Sequence, residues 1–202
     1  MNKLTRRAAA FMLSAGLAIA GTSAFAADNP KVKFTTSMGD IVVELYPDKA
    51  PKTVENFLSY VKAKHYDGTI FHRVINGFMI QGGGYDSSYS PRPTRPPIQH
   101  EGATIIANHG PKNDVGTIAM ARTNDPNSAT DQFFINVVDN SRLDPTPSNP
   151  GYVAFGKVVS GMDVVNKIKS VPTGAAPGPA GNMFTRDVPK TPVVIQSATI
   201  VQ

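Results

Sequence analysis

The chain has 202 residues, 41% hydrophobic and 17% charged; this length suits one domain, and the composition is too apolar for a disordered chain. Its 17 Gly and 17 Pro favour short elements joined by turns over a helical bundle, and the lack of cysteine excludes disulfides, a thiol nucleophile, Fe–S clusters and Cys-ligated zinc. The net charge of +5 overstates the basic character: Lys3, Arg6 and Arg7 sit in a leader read as cleavable, and 5 minus these 3 leaves +2, an ordinary surface for which no nucleic-acid partner is expected.

That leader spans residues 1–26. A basic start precedes an apolar stretch from Ala8 to Ala20, and Ala24-Phe25-Ala26 is an A-x-A cleavage pattern. The stretch is shorter than the roughly 20 residues of a membrane span. A signal peptide cut after Ala26 is expected, leaving one domain over 27–202, exported to a bacterial periplasm, with no membrane contact after cleavage and in a monomeric state.

Lys31–Thr36 alternates polar and apolar, Ser37-Met38-Gly39-Asp40 reads as a turn, and Ile41–Tyr46 completes a hairpin. A helix opens near Asp48-Lys49-Ala50-Pro51, with Val54, Phe57, Leu58 and Val61 on one face. His65, near its end, reads as a surface residue favoured by the helix dipole. Thr69–Ile75 is a predicted strand, Asn76-Gly77 a turn, and Phe78–Gln81 the return strand. A two-residue loop would pair Arg73 with Ile80; a three-residue loop, Asn76-Gly77-Phe78, pairs Arg73 with Gln81 and is the expected form. Gly82-Gly83-Gly84 opens an irregular Ser- and Pro-rich excursion over 85–104. Short strands are predicted at Gly116–Ala121, Gln132–Val137 and Tyr152–Val159, a helix at Gly161–Ser170, a Pro/Gly-rich loop over 172–192 and a closing strand at Val193–Val201. About eight strands and two helices, with strands adjacent in sequence, point to a mainly β antiparallel barrel or sandwich.

The block Phe71-His72-Arg73-Val74-Ile75-Asn76-Gly77-Phe78-Met79-Ile80-Gln81-Gly82-Gly83 resembles the signature of the cyclophilin-type peptidyl-prolyl isomerases. So do Gly116-Thr117-Ile118-Ala119-Met120-Ala121, Gln132-Phe133-Phe134-Ile135, Phe155-Gly156-Lys157-Val158 and Gly161-Met162-Asp163, in the same order. The resemblance implies a closed eight-stranded antiparallel β-barrel capped by two α-helices. It implies cis/trans isomerisation of X-Pro bonds in unfolded or partly folded polypeptides, without a cofactor or metal. It assigns Arg73 as the catalytic arginine with Gln81 beside it. It assigns Phe78, Met79, Phe134 and Leu143 to a proline pocket, with Gln132 and the backbone at Ala121 and Arg122 binding the peptide chain; Tyr152, where many relatives carry His, falls either at the pocket edge or in the barrel packing. Where many relatives carry Trp this chain has Arg142, so weak cyclosporin binding is expected.

These residue types suit the reaction. A prolyl amide crosses a barrier of about 18–20 kcal/mol without any bond breaking, so no nucleophile is required. As the bond twists, its nitrogen gains a lone pair, which a fixed cationic donor stabilises more than the planar ground state. His65, His72, His100 and His109 show no metal-ligand spacing, and no nucleophile elbow marks a hydrolase. Two other classes compete: a peptide-holding chaperone using the same groove, and a lipocalin-like ligand barrel, which needs a hollow interior that these large apolar strand residues would fill.

Overall fold

The first two strands, β1 (Lys31–Thr36) and β2 (Gly39–Leu45), form the expected hairpin, and their apolar members Val32, Phe34, Ile41, Val43 and Leu45 are fully buried on one face. The computed structural model describes residues 28–177 and 183–201, and the leader read at 1–26 lies outside them. Alternation at period 2 sends every second side chain of a strand inward, so a chain of such strands builds one filled interior.

The remaining strands of the main sheet are β3 (Thr69–Ile70), β4 (Arg73–Ile75), β5 (Met79–Gly82), β6 (Thr117–Met120), β7 (Phe133–Asn136) and β8 (Ala154–Ser160). A small hairpin, β9 (Thr173–Pro177) and β10 (Met183–Pro189), forms its own two-stranded sheet beside β4, and β11 (Val194–Val201) returns to the main sheet. The order is β3-β11-β1-β2-β8-β6-β7-β5-β4, with every pairing antiparallel. The two ends of this order, β3 and β4, are separated in the chain only by Phe71-His72. The sheet therefore curls until its ends come within one dipeptide. Counting β3 and β4 as one interrupted strand gives the eight positions of the expected barrel.

Three differences from the sequence reading have physical reasons. The strand expected over Thr69–Ile75 breaks at Phe71-His72, where Phe71 N–H turns to the Val193 carbonyl at 3.0 Å. The loop expected over 172–192 holds β9 and β10, paired through Val188 and Gly174, in a sequence whose prolines and glycines mask any alternation. A six-residue helix α2 (Gly102–Ala107) closes the excursion, with only Ile105 among its side chains reaching the core. It is too short to show a period.

The two expected helices, α1 (Pro51–Lys62) and α3 (Met162–Lys169), set their apolar faces on the same core. Ala50 at the N-cap of α1 supplies no side-chain acceptor. Its orphan donors find one 48 residues on: the buried Glu101 carboxylate accepts from Lys52 N–H at 3.0 Å, Thr53 N–H at 2.8 Å and Thr53 Oγ1 at 2.7 Å. The excursion is thereby tied to the barrel. Inside, the rings of Phe34, Phe57, Tyr66, Phe133 and Phe155 pack at centroid distances from 5.1 to 6.3 Å and are wholly shielded. The barrel is filled with aromatic side chains, unlike a ligand-carrying lipocalin barrel.

Candidate active site

The strands that send Val74, Ile80, Ile118, Met120, Phe133 and Ile135 inward send their alternate residues outward. Register then sorts those outward residues. Arg73 pairs with Gln81, Gln81 with Phe134, Phe134 with Ala119, and Ala119 with Ala154. One row thus crosses five strands, from a cation through an amide and a ring to two small methyls. The Arg73–Gln81 pairing follows from the three-residue loop 76–78, closed by Phe78 N–H to the Ile75 carbonyl at 3.0 Å.

The row opens into a pocket of about 310 Å³ lined by Arg73, Phe78, Met79, Gln81, Ala121, Arg122, Phe134, Leu143 and Tyr152. Those are nine of the ten residues singled out from the sequence. The tenth, Gln132, stands at a neighbouring cavity of about 160 Å³ that shares Gln81, Ala121 and Arg122 with the first. Met79, Ala119, Phe134 and Ala154 form a buried apolar cluster on this outer face, with Phe78, Leu143 and Tyr152 packed over it.

The polar side is a relay of amides. Arg73 Nη1 donates to Gln81 Oε1 at 3.4 Å, and Gln81 Nε2 donates to Gln132 Oε1 at 2.9 Å. The first bond is longer than an ordinary N–H···O contact, so the exposed guanidinium keeps most of its donor capacity for a ligand. His72, facing the other way, is buried against the Tyr85 ring, with ring centroids 4.7 Å apart. Burial first, and then the Arg73 charge, lowers its pKa to about 4, so it is neutral at pH 7.

Gln132 owes its place to glycine. A Cβ on Gly84 would come within 2.5 Å of Gln132 Cγ, and Gly83, at φ +95°, would press one against the Tyr66 and Phe133 rings and the Asp131 carbonyl. Arg122 acts as a brace: Nε and Nη2 donate to the Gly151 carbonyl at 3.0 and 2.7 Å, Nη1 donates to the Thr123 carbonyl at 2.7 Å, and the guanidinium lies 4.5 Å from the Tyr152 ring centroid. Tyr152 meets Phe134 edge-on at 5.7 Å. Arg142 is exposed and lies over the Phe78 ring at 4.9 Å.

Two features were not anticipated. His65 is not a surface residue: its Nε2 lies 2.8 Å from Asp131 Oδ2, both side chains are nearly covered, and the pair fixes the loop that presents Gln132. Helix-end position alone could not reveal a partner 66 residues away. An asparagine cluster was also missed. Asn140 Nδ2 donates to the Phe78 carbonyl at 2.8 Å and to Asn136 Oδ1 at 2.7 Å; Asn136 Nδ2 donates to Asn113 Oδ1 at 3.2 Å; and Asn113 Nδ2 donates to Asp144 Oδ1 and to the Tyr152 carbonyl. These buried amides hold the loop carrying Leu143 and Tyr152 over the outer face. The signal in the sequence was an asparagine ending the otherwise apolar run Phe133–Asn136.

A curled antiparallel barrel carries an arginine-edged pocket with apolar walls on its outer face. The model for "Cyclophilin type peptidyl-prolyl cis-trans isomerase/CLD" matches residues 31–200. The chain is 54% identical over 173 residues to the peptidyl-prolyl cis-trans isomerase cyp18 of Streptomyces antibioticus, covering 84% of this chain and 98% of that one. It is 51% identical to peptidyl-prolyl cis-trans isomerase B of Escherichia coli, with the same coverages. The crystal structure of a Cryptosporidium parvum cyclophilin-type isomerase in the presence of the dipeptide Ala-Pro superposes with a TM-score of 0.62 at 27% identity, over 85% of this chain and 99% of its own. The chain belongs to the cyclophilin-type peptidyl-prolyl cis-trans isomerase family, and it is an enzyme of that class.

Proposed function

We propose that the outer-face pocket takes the proline ring of an X-Pro segment and that Arg73 is the catalytic residue. The observation that carries this is the paired row Arg73–Gln81–Phe134, which sets an exposed cationic donor beside a cavity with apolar walls. Phe78, Met79, Phe134 and Leu143 would clamp the ring, while Gln132 and the backbone at Ala121–Arg122 hold the preceding chain. As the amide twists, the Arg73 guanidinium donates to the pyramidalising prolyl nitrogen. One charge-assisted hydrogen bond contributes about 1.5–3 kcal/mol, or about 10- to 150-fold in rate. The ring clamp supplies the rest by letting only the chain before the proline rotate. Arginine suits the role because it stays charged and presents rigid donors. Gln81 orients it and Gln132 orients Gln81.

The substrates would be exported polypeptides. The support is the basic start, the apolar stretch Ala8–Ala20 and the Ala24-Phe25-Ala26 pattern. The isomerisation reading is tested by exchange NMR on a short X-Pro peptide, wild type against Arg73→Ala; the export reading is tested by the N-terminal residue of protein recovered from a periplasmic fraction, expected at Ala27.

A further inference from the structure

Every charged side chain lining the pocket is positive. Arg73 and Arg122 stand in its wall, and Arg142 lies over Phe78 at its rim. Among the described residues, no Asp or Glu oxygen lies within 4.0 Å of any of the three guanidiniums. The acids of the adjoining loops are used elsewhere. Asp131 Oδ2 is held by His65, Asp139 Oδ1 accepts from Ser141 N–H at 2.8 Å, and Asp144 Oδ1 accepts from Asn113 N–H at 2.7 Å. Arg122 donates to the Gly151 and Thr123 carbonyls. Arg142 is exposed, with its guanidinium over the Phe78 ring. A concave apolar site carrying one sign of charge concentrates ligands of the other.

The placement of Arg142 also gives a direction. The two cavities share the Gln81, Ala121 and Arg122 edge, where the chain before the proline is read to run. Phe78 and Leu143 line the first cavity and not the second, so Arg142 stands on the far side, where on that reading the residue after the proline would emerge. A carboxylate there would meet an exposed cation seated over a ring.

We propose that this isomerase selects X-Pro segments with an acidic side chain directly after the proline, and that Arg142 is the residue that reads it. The inference rests on the proline-pocket reading above. The experiment measures kcat/KM by exchange NMR for blocked Ala-Pro-Xaa-Ala peptides with Xaa as Glu, Gln or Lys, and for the matching Xaa-Pro-Ala set. Glu after proline is expected to exceed Gln by about three- to ten-fold, with Lys below Gln. The advantage should shrink toward unity between about 0.01 M and about 1 M salt, as the screening length falls from about 30 to about 3 Å. Arg142→Gln should bring the Glu/Gln ratio near one, and Arg142→Glu should make Lys the favoured residue. Equal rates for the three peptides, a preference found only before the proline, or a ratio unchanged in both variants would overturn the proposal. Turnover of the neutral Gln peptide separates the two readings: if it is turned over without a charge preference, only this inference fails, whereas loss of turnover for all three peptides refutes the pocket assignment as well.

Discussion

The same five strands, β4 to β8, carry two faces with opposite demands. The inner face must exclude water, and it does so with large rings and branched chains that are fully buried. The outer face keeps a smaller apolar cluster, Met79, Ala119, Phe134 and Ala154, and ends in an exposed arginine. Residues one step apart in the chain therefore differ in kind: Phe133 fills the barrel while Phe134 lines the pocket, and His72 is buried while Arg73 is exposed. Strand parity thus separates the packed interior from the outward pocket where turnover is proposed. A change on one face should be read in stability and a change on the other in rate.

The inner face gives the largest effect. Phe133 touches the Phe34, Phe57, Tyr66 and Phe71 rings, so Phe133→Ala leaves a cavity among them and should cost about 3–5 kcal/mol in urea unfolding. A loss under about 1 kcal/mol would break the division between the faces.

His72 sharpens it through pH. The unfolded chain takes up a proton on this histidine near pH 6.5, whereas the folded protein resists until about pH 4. The unfolded state binds more protons in between, so this contribution is complete above about pH 6.5 and is lost as the pH falls toward 4, by about 3 kcal/mol at most. Unfolding curves across that interval should be steeper for wild type than for His72→Gln; identical slopes would contradict the buried, neutral assignment.

At the rim the expected effect is on drug affinity. An indole at position 142 would offer an apolar face and an N–H donor where the arginine head must stay solvated. Arg142→Trp should tighten cyclosporin binding on the order of a hundredfold, measured by calorimetry. Nanomolar inhibition of the unaltered protein would show that position 142 has been misread.

The outer face was legible in the sequence because its residues fall in contiguous blocks, and because loop length alone decides whether Arg73 meets Ile80 or Gln81. The strands were legible because alternation survives wherever one face is buried. What escaped depends on distance along the chain. Glu101 caps a helix 48 residues earlier, His65 finds Asp131, and Asn113, Asn136 and Asn140 meet only once β6 and β7 are paired. The α1 start did carry a hint: a helix opening on Ala50-Pro51 without its own capping side chain needs an acceptor from elsewhere. The β9–β10 hairpin and α2 were hidden by Pro, Gly and short length.

The central claim is that Arg73, set outward by parity and left with one long hydrogen bond, drives the chemistry and does nothing for the fold. Exchange NMR on a neutral X-Pro peptide, with urea unfolding on the same samples of wild type and Arg73→Ala, tests it most directly. The account predicts that turnover falls at least tenfold while stability changes by no more than about 0.5 kcal/mol. Near-wild-type turnover in a folded Arg73→Ala protein would contradict it.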